Sequence, residues 1–213
     1  GLTSGAANLI ASFGSDELVA KYVPSMLSGE WQGTMALTEP QAGSSLSDIT
    51  TSATPQADGT YTIKGQKVFI SAGDHDAAGN IIHLMLARTK GISLFVVPKY
   101  RDTEAGPVDN DVTSTGIYHK LGQRGVPAMH LTMGERDDCV GYLVGQPHQG
   151  LPYMFQMMNE ARIGVGMTAA GISTAAYHAA LQYARERPQS RRLNEKNTLD
   201  APQTPIINHP DVR

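Results

Sequence analysis

The run Met35-Ala36-Leu37-Thr38-Glu39-Pro40-Gln41-Ala42-Gly43-Ser44 holds the groups best suited to gripping a polar ring or a phosphate. Thr38 and Ser44 offer hydroxyl donors, and Pro40 fixes its φ. Ala42 and Gly43 let a ligand approach the main chain, where successive N–H groups can form an anion nest. On local chemistry alone the same residues also describe an ordinary strand end followed by a Pro/Gly loop.

Other patterns point to less. The seven histidines include no HExxH or comparable ligand spacing, and Asp74-His75-Asp76 reads as a polar turn, so no metal is expected. Gly164-Val165-Gly166-Met167-Thr168-Ala169 matches a dinucleotide pattern on paper. It falls inside a helical stretch with no preceding strand, so close helix packing is the better reading. No Ser/His/Asp arrangement follows from spacing.

The Met35–Ser44 run resembles the flavin-contacting TEPxAGS motif of the acyl-CoA dehydrogenase family. Three further segments follow in family order: Lys64-Gly65-Gln66-Lys67-Val68-Phe69-Ile70-Ser71, Leu121-Gly122-Gln123-Arg124-Gly125 and Glu186-Arg187-Pro188-Gln189. Local detail at Ala72–Asp76, Lys90–Lys99 and Asn208–Arg213 is similar to the 3-methylmercaptopropionyl-CoA dehydrogenase branch.

The resemblance implies FAD as cofactor, with Met35, Leu37, Thr38, Gly43 and Ser44 at flavin or pyrophosphate contacts and Phe69, Ile70 and Ser71 on a second flavin strand. Phe69 stands where the family usually has tryptophan, which keeps an apolar face and loses the indole N–H. Arg187 and Gln189 fall where many members contact the FAD of a neighbouring subunit, although Arg187 also suits a basic helix C-terminus. Ser190 replaces the usual glycine. Ser44, Met158 and Arg162 are the implied acyl-CoA contacts, and Met158 also reads as core.

The implied reaction removes an α-proton and a β-hydride from an acyl thioester, giving a trans-2-enoyl-CoA, and needs a general base, usually Glu. No catalytic residue is assigned within the chain, and the base is expected after Arg213. A minority of members place it immediately before the arginine matched by Arg162, where this chain has Ala161. Glu160 is one residue off, a rotation of about 100° around a helix, and is not assigned that role. The 213 residues alone are expected not to oxidise acyl-CoA.

Several elements must position these groups. Ser15 reads as an N-cap, with Asp16 and Glu17 in the first turn and Leu18, Val19, Tyr22 and Val23 on one face; Pro24 and Ser28-Gly29-Glu30 should end that helix. Strands are expected at Gly33–Thr38, around Tyr61 and Ile63, and at Val68–Ser71, Ile81–Arg88, Ile92–Val97, His119–Leu121, Met129–Met133 and Tyr142–Val144. Asp58-Gly59 and Gly65 read as turns, and Tyr100–Gly116 as a surface loop. From Leu151 to about Arg187 the apolar spacing changes to three and four, a helix of roughly 55 Å at about 1.5 Å per residue, ended by Pro188. Ser190–Thr204 reads as a polar loop.

The expected fold is α+β, a central antiparallel β sandwich or barrel flanked by helices, with the C-terminal helical bundle incomplete. Residues 1–31 would close an N-terminal helical domain, 32–145 form the β domain with the flavin and acyl-CoA contacts, and 146–213 begin a truncated C-terminal helical domain. Gly1 in place of Met and the helix-start signals of Asn208-His209-Pro210-Asp211 suggest a piece of a longer polypeptide.

Composition agrees with a globular chain: 40% hydrophobic, 17% charged, net charge −3. Arg185, Arg187, Arg191 and Arg192 cluster, but Glu186 and Glu195 interrupt them, and no nucleic-acid partner is expected. The single Cys139 excludes an intrachain disulfide and fits a reducing compartment. The apolar runs Ile81–Ala87 and Ile92–Val97 are too short to span a bilayer, and no membrane association is expected. The resemblance implies a homodimer or homotetramer, an electron-transfer flavoprotein as acceptor, and a bacterial cytoplasm or, in a eukaryote, the mitochondrial matrix. An acyl-CoA oxidase on the same scaffold is one alternative. A non-catalytic or nucleic-acid-binding relative is the other, recognisable by salt-sensitive duplex binding without flavin uptake.

Overall fold

The chain opens with a helix absent from the expectations above: α1, Leu2–Phe13. Leu2, Gly5, Ala6, Leu9, Ile10 and Phe13 fall at three- and four-residue steps, and Ala6, Leu9 and Ile10 are buried. Leu2, Leu9, Ile10 and Phe13 mark this face at helical spacing, so the signal for the helix was present in the sequence. α2, Asp16–Ser28, starts as expected, with the Leu18 N–H donating to Ser15 Oγ at 3.3 Å. Pro24 does not end it. The carbonyl that Pro24 deprives of a donor belongs to Ala20, which is exposed and can bond water, so the helix runs on until Gly29 takes a left-handed φ of 84°.

The structure, a computed structural model, describes residues 1–195 and 197–213. It divides into two units, Gly1–Ala161 and Arg162–Arg213. The first holds α1, α2 and ten strands: β1 Trp31–Ala36, β2 Ser52–Pro55, β3 Tyr61–Ser71, β4 Asn80–Arg88, β5 Ile92–Pro98, β6 Tyr100–Thr103, β7 Gly106–Asp109, β8 Val112–Ile117, β9 Ala128–Met133 and β10 Val140–Val144. The main sheet runs β1-β4-β5-β10-β3-β9-β8. β2 pairs with both β3 and β4, so β2, β4, β5, β10 and β3 close a ring, the small-barrel form of the expected architecture. Pairing is mostly antiparallel, but β1 lies parallel to β4, making the sheet mixed.

β4 and β5 are buried on both faces. Ile82, Leu84, Leu86, Leu94 and Val96 join a core with α1, α2 and Met154 and Met157. Met85, Ala87, Phe95 and Val97 point the other way, into a core with Ile63, Ile70, Leu131 and Cys139. That double burial explains their apolar runs, interrupted only by His83 in β4 and Ser93 in β5.

Three strand-level expectations are corrected. Gly65 is not a turn; it lies inside β3, where an added Cβ would come 2.5 Å from Thr51 Oγ1, so glycine there permits close strand approach. His119–Leu121 is not a strand, and Leu121 is fully exposed. Tyr100–Gly116 is not a loop: β6 and β7 form a hairpin, and β8 pairs with β9. The hairpin is largely exposed, so its polar faces give no alternating apolar signal.

The long helix is present as α3, Gly150–Glu186. Within the second unit, Pro188 pairs with Pro205 in an isolated bridge, the Gln189 N–H donates to the Thr204 carbonyl at 3.0 Å, and short 3-10 turns occupy Leu193–Glu195 and Ile206–Asn208. Among the described residues no helix is long and apolar enough to cross a membrane.

Candidate flavin site

Where β1 ends, the chain makes a tight turn closed by two backbone hydrogen bonds, Glu39 N–H to Ala42 O at 2.9 Å and Ala42 N–H to Glu39 O at 3.1 Å. The expected nest is therefore partly spent, since these two amides bond each other's residues. The turn is tied to β3 by consecutive carbonyls. Lys67 Nζ donates to Leu37 O at 2.9 Å, and the Val68 N–H donates to Thr38 O at 2.9 Å.

Beneath the turn sits a buried ion pair that the sequence reading did not single out. Lys67 Nζ lies 2.9 Å from Glu39 Oε1, with side chains 0% and 2% exposed. The carboxylate also accepts from Thr50 N at 2.6 Å, Thr50 Oγ1 at 3.0 Å, Thr51 N at 3.0 Å and Gln41 Nε2 at 2.8 Å. Burial pushes Glu39 up, but those hydrogen bonds and the Lys67 charge outweigh it and hold the carboxyl at about 2. Burial pulls Lys67 down to about 8 against the raising effect of Glu39, so both groups are charged at neutral pH. A signal was available: Lys67 shares a strand face with buried Ile63, and an inward lysine needs a partner.

One step further along β3 the strand bulges. The pairing with β9 shifts between Lys67 and Ile70, and Phe69 adopts φ 59°. Such a bulge re-aims a side chain. Phe69 is 60% exposed and packs against Tyr118 with ring centroids 4.4 Å apart.

The bulge and the turn face one cleft of about 220 Å³. Met35, Leu37, Thr38 and Gly43 line it from the end of β1 and the turn after it, and Phe69, Ile70 and Ser71 from β3. Leu2, Leu46 and Met158 complete the walls. Eight residues named from sequence thus meet at one site. Ser44 is exposed and is not among the lining residues. Arg162, Arg187 and Gln189 belong to the second unit, where each is exposed. The Arg187 carbonyl accepts from Ile206 N at 2.9 Å, and His209 Nε2 lies 2.8 Å from the Gln189 carbonyl.

The lining is apolar with two hydroxyls, Thr38 and Ser71, and carries no ionisable side chain. A flat, neutral ring with one polar edge suits it. The volume is below the roughly 300–1,000 Å³ of whole-ligand pockets, so it would take the ring and not an entire dinucleotide. A second cleft of about 220 Å³, lined by Tyr118, His119, Lys120 and Arg124 among others, holds the Leu121–Gly125 neighbourhood. There Arg124 Nε donates to the Lys120 carbonyl at 3.0 Å.

Buried titratable groups also lie apart from the cleft, among them His83 and Cys139. His83 Nδ1 is 2.7 Å from Thr34 Oγ1 across the β1–β4 pair, and burial lowers its pKa to about 4, keeping it neutral. Burial pushes the Cys139 thiol far up, leaving it unreactive. Asp74 pairs with Lys99, and no cluster able to hold a metal occurs among the described residues.

Residues 34–135 match the acyl-CoA dehydrogenase middle domain, and residues 148–200 match the acyl-CoA dehydrogenase C-terminal domain. The chain is 47% identical, over its whole length, to the 3-methylmercaptopropionyl-CoA dehydrogenase of Ruegeria pomeroyi. It is 45% identical, again over its whole length, to a butyryl-CoA dehydrogenase of Syntrophomonas wolfei. It spans only 37% of each of these relatives. Among solved structures, a probable acyl-CoA dehydrogenase from Mycobacterium abscessus superposes with a TM-score of 0.72 at 26% identity, over 99% of this chain and 51% of that one. An acyl-CoA dehydrogenase complexed with FAD from Bacillus anthracis gives 0.73 at 26% identity, over 99% of this chain and 33% of that one. The chain belongs to the acyl-CoA dehydrogenase family.

Proposed function

We propose that this chain supplies the flavin-binding half of an FAD-dependent enzyme that converts an acyl-CoA thioester to its trans-2-enoyl-CoA. The observation that carries the proposal is the cleft in which the turn after β1 and the bulge of β3 meet. Family membership and the FAD-bound relative support it. In this reading residues 1–31, 32–145 and 146–213 divide as the end of a helical domain, the β domain, and the start of a second helical domain.

Bound FAD would supply a hydride acceptor at the ring. Phe69 and the aliphatic side chains of Leu37 and Ile70 would cover its faces and exclude water. Thr38 and Ser71 would donate to its polar edge, where negative charge grows on reduction. Arg187, Gln189 and Ser44 would contact phosphate or ribityl oxygens, those of a second copy in the case of Arg187 and Gln189. Met158, Arg162 and Ser44 would meet the acyl-CoA.

The cleft lining offers no group able to take the α-proton. Glu39 lies behind the turn and is fully committed. In this reading the base follows Arg213, as the family resemblance implies. An electron-transfer flavoprotein would reoxidise the enzyme.

Anaerobic mixing of the FAD-loaded full-length protein with butyryl-CoA and with 3-methylmercaptopropionyl-CoA tests the activity. Loss of the visible flavin absorption with either thioester is expected. A flavin that stays oxidised with these and with longer acyl-CoAs would refute it.

A further inference from the structure

The buried pair beneath the turn has a lopsided bond inventory. Glu39 is satisfied by four donors besides Lys67, whereas Lys67 has two recorded acceptors, Glu39 Oε1 and the Leu37 carbonyl. Most hydrogen bonds to Glu39 thus come from Gln41, Thr50 and Thr51, while Lys67 supplies its counter-charge. A methionine would fill the same volume without the desolvation cost of a buried ammonium. Besides pairing with Glu39, the ammonium holds the Leu37 carbonyl, which methionine could not do.

That hold has a direction. No cis peptide occurs among the described residues, so in the planar trans unit joining Leu37 and Thr38 the N–H points opposite to the carbonyl. The carbonyl points at Lys67 in the core, so the Thr38 N–H points away from it, and Thr38 is one of the residues that line the cleft. The next two groups along are already committed: Thr38 O to the Val68 N–H and the Glu39 N–H to Ala42 O. These fix the Thr38–Glu39 peptide unit, and the bond from Lys67 to the Leu37 carbonyl sets the tilt of the Leu37–Thr38 plane before it. A positive charge on a peptide oxygen also polarises its N–H, making it a stronger donor.

We propose that Lys67, held in place by Glu39, is a positioning residue that aims and strengthens the Thr38 amide toward the polar edge of the bound flavin, favouring the reduced ring over the oxidised one. The proposal rests on the flavin reading above. It assigns Lys67 an electrostatic task across the turn, beyond fastening the turn to β3.

The test uses the full-length protein loaded with FAD. Kd values for oxidised and reduced FAD, or equivalently the midpoint potential, are compared between wild type and the double variant Glu39→Gln/Lys67→Met, which removes both charges and keeps the volume. Circular dichroism and thermal melting establish folding. The expected result is a preference for reduced flavin about tenfold smaller, a potential about 30 mV lower for this two-electron couple. Glu39→Gln alone, measured at pH 7.5, is expected to move the preference the same way by less, because burial then strips the Lys67 proton. If the double variant does not fold, the milder one decides. Folded variants that keep the wild-type preference, or that lose affinity for both redox forms equally, would overturn the proposal. A wild-type protein that takes up no FAD would instead overturn the flavin reading itself.

Discussion

Lys64 and Lys67 sit three residues apart on β3, each ion-paired, and they show how little an ion pair means without its surroundings. Lys64 reaches Asp137 at 2.7 Å with both side chains in solvent, 61% and 71% exposed. Lys67 reaches Glu39 at 2.9 Å with both side chains sealed from it. The odd spacing puts the two lysines on opposite faces of the strand. Water screens the first pair and competes for it. The second has no water to fall back on, so its partners must all be supplied by the fold.

The largest effect expected from this contrast is for Lys67→Met alone. It leaves the Glu39 carboxylate buried without its counter-charge and should cost on the order of 3–5 kcal/mol in urea-monitored unfolding. Recovery of most of that loss on adding Glu39→Gln would show that stranded charge, and not lost packing, is the cause.

Acid comes next. The folded pKa of Glu39, about 2, lies below its ordinary 4.5, so its contribution is complete above about pH 4.5 and disappears as pH falls toward 2. The shift corresponds to about 3 kcal/mol at about 1.36 kcal/mol per unit. Thermal melts between pH 5 and 2 should fall less steeply in Glu39→Gln than in wild type.

Phe69→Ala probes the bulge. The side chain is mostly exposed, so the melting temperature should hardly change, while FAD affinity should weaken about tenfold, close to 1.4 kcal/mol. The smallest effect is at the other lysine: Lys64→Met should leave the urea midpoint within experimental error, and a clear loss there would dissolve the contrast between the pairs.

Much of the cleft was legible because its residues lie in two short runs, Met35–Gly43 and Phe69–Ser71, whose resemblance to a family carried them without any knowledge of contacts. The ion pair was not, although Glu39 stands inside the first run and Lys67 just before the second. Joining them requires the turn to fold back on β3, a contact 28 residues apart in sequence. The bulge was also hidden, since Val68-Phe69-Ile70 reads as a plain apolar strand until the register shift turns Phe69 outward. α1 went unseen although Leu2, Leu9, Ile10 and Phe13 mark its buried face at helical spacing. Pro24 and Gly65 misled because each is a breaker by reputation and is tolerated here, one by an exposed helix face and one by a crowded strand pair.

The central claim is that the turn after β1 and the bulge of β3 together hold a flavin ring. Titration of the full-length, flavin-stripped protein with FAD, followed by visible absorption, tests it most directly. One FAD per chain with a perturbed visible spectrum, weakened by Phe69→Ala, is the predicted result. A spectrum identical to free FAD at every ratio, in a protein shown to be folded, would contradict it.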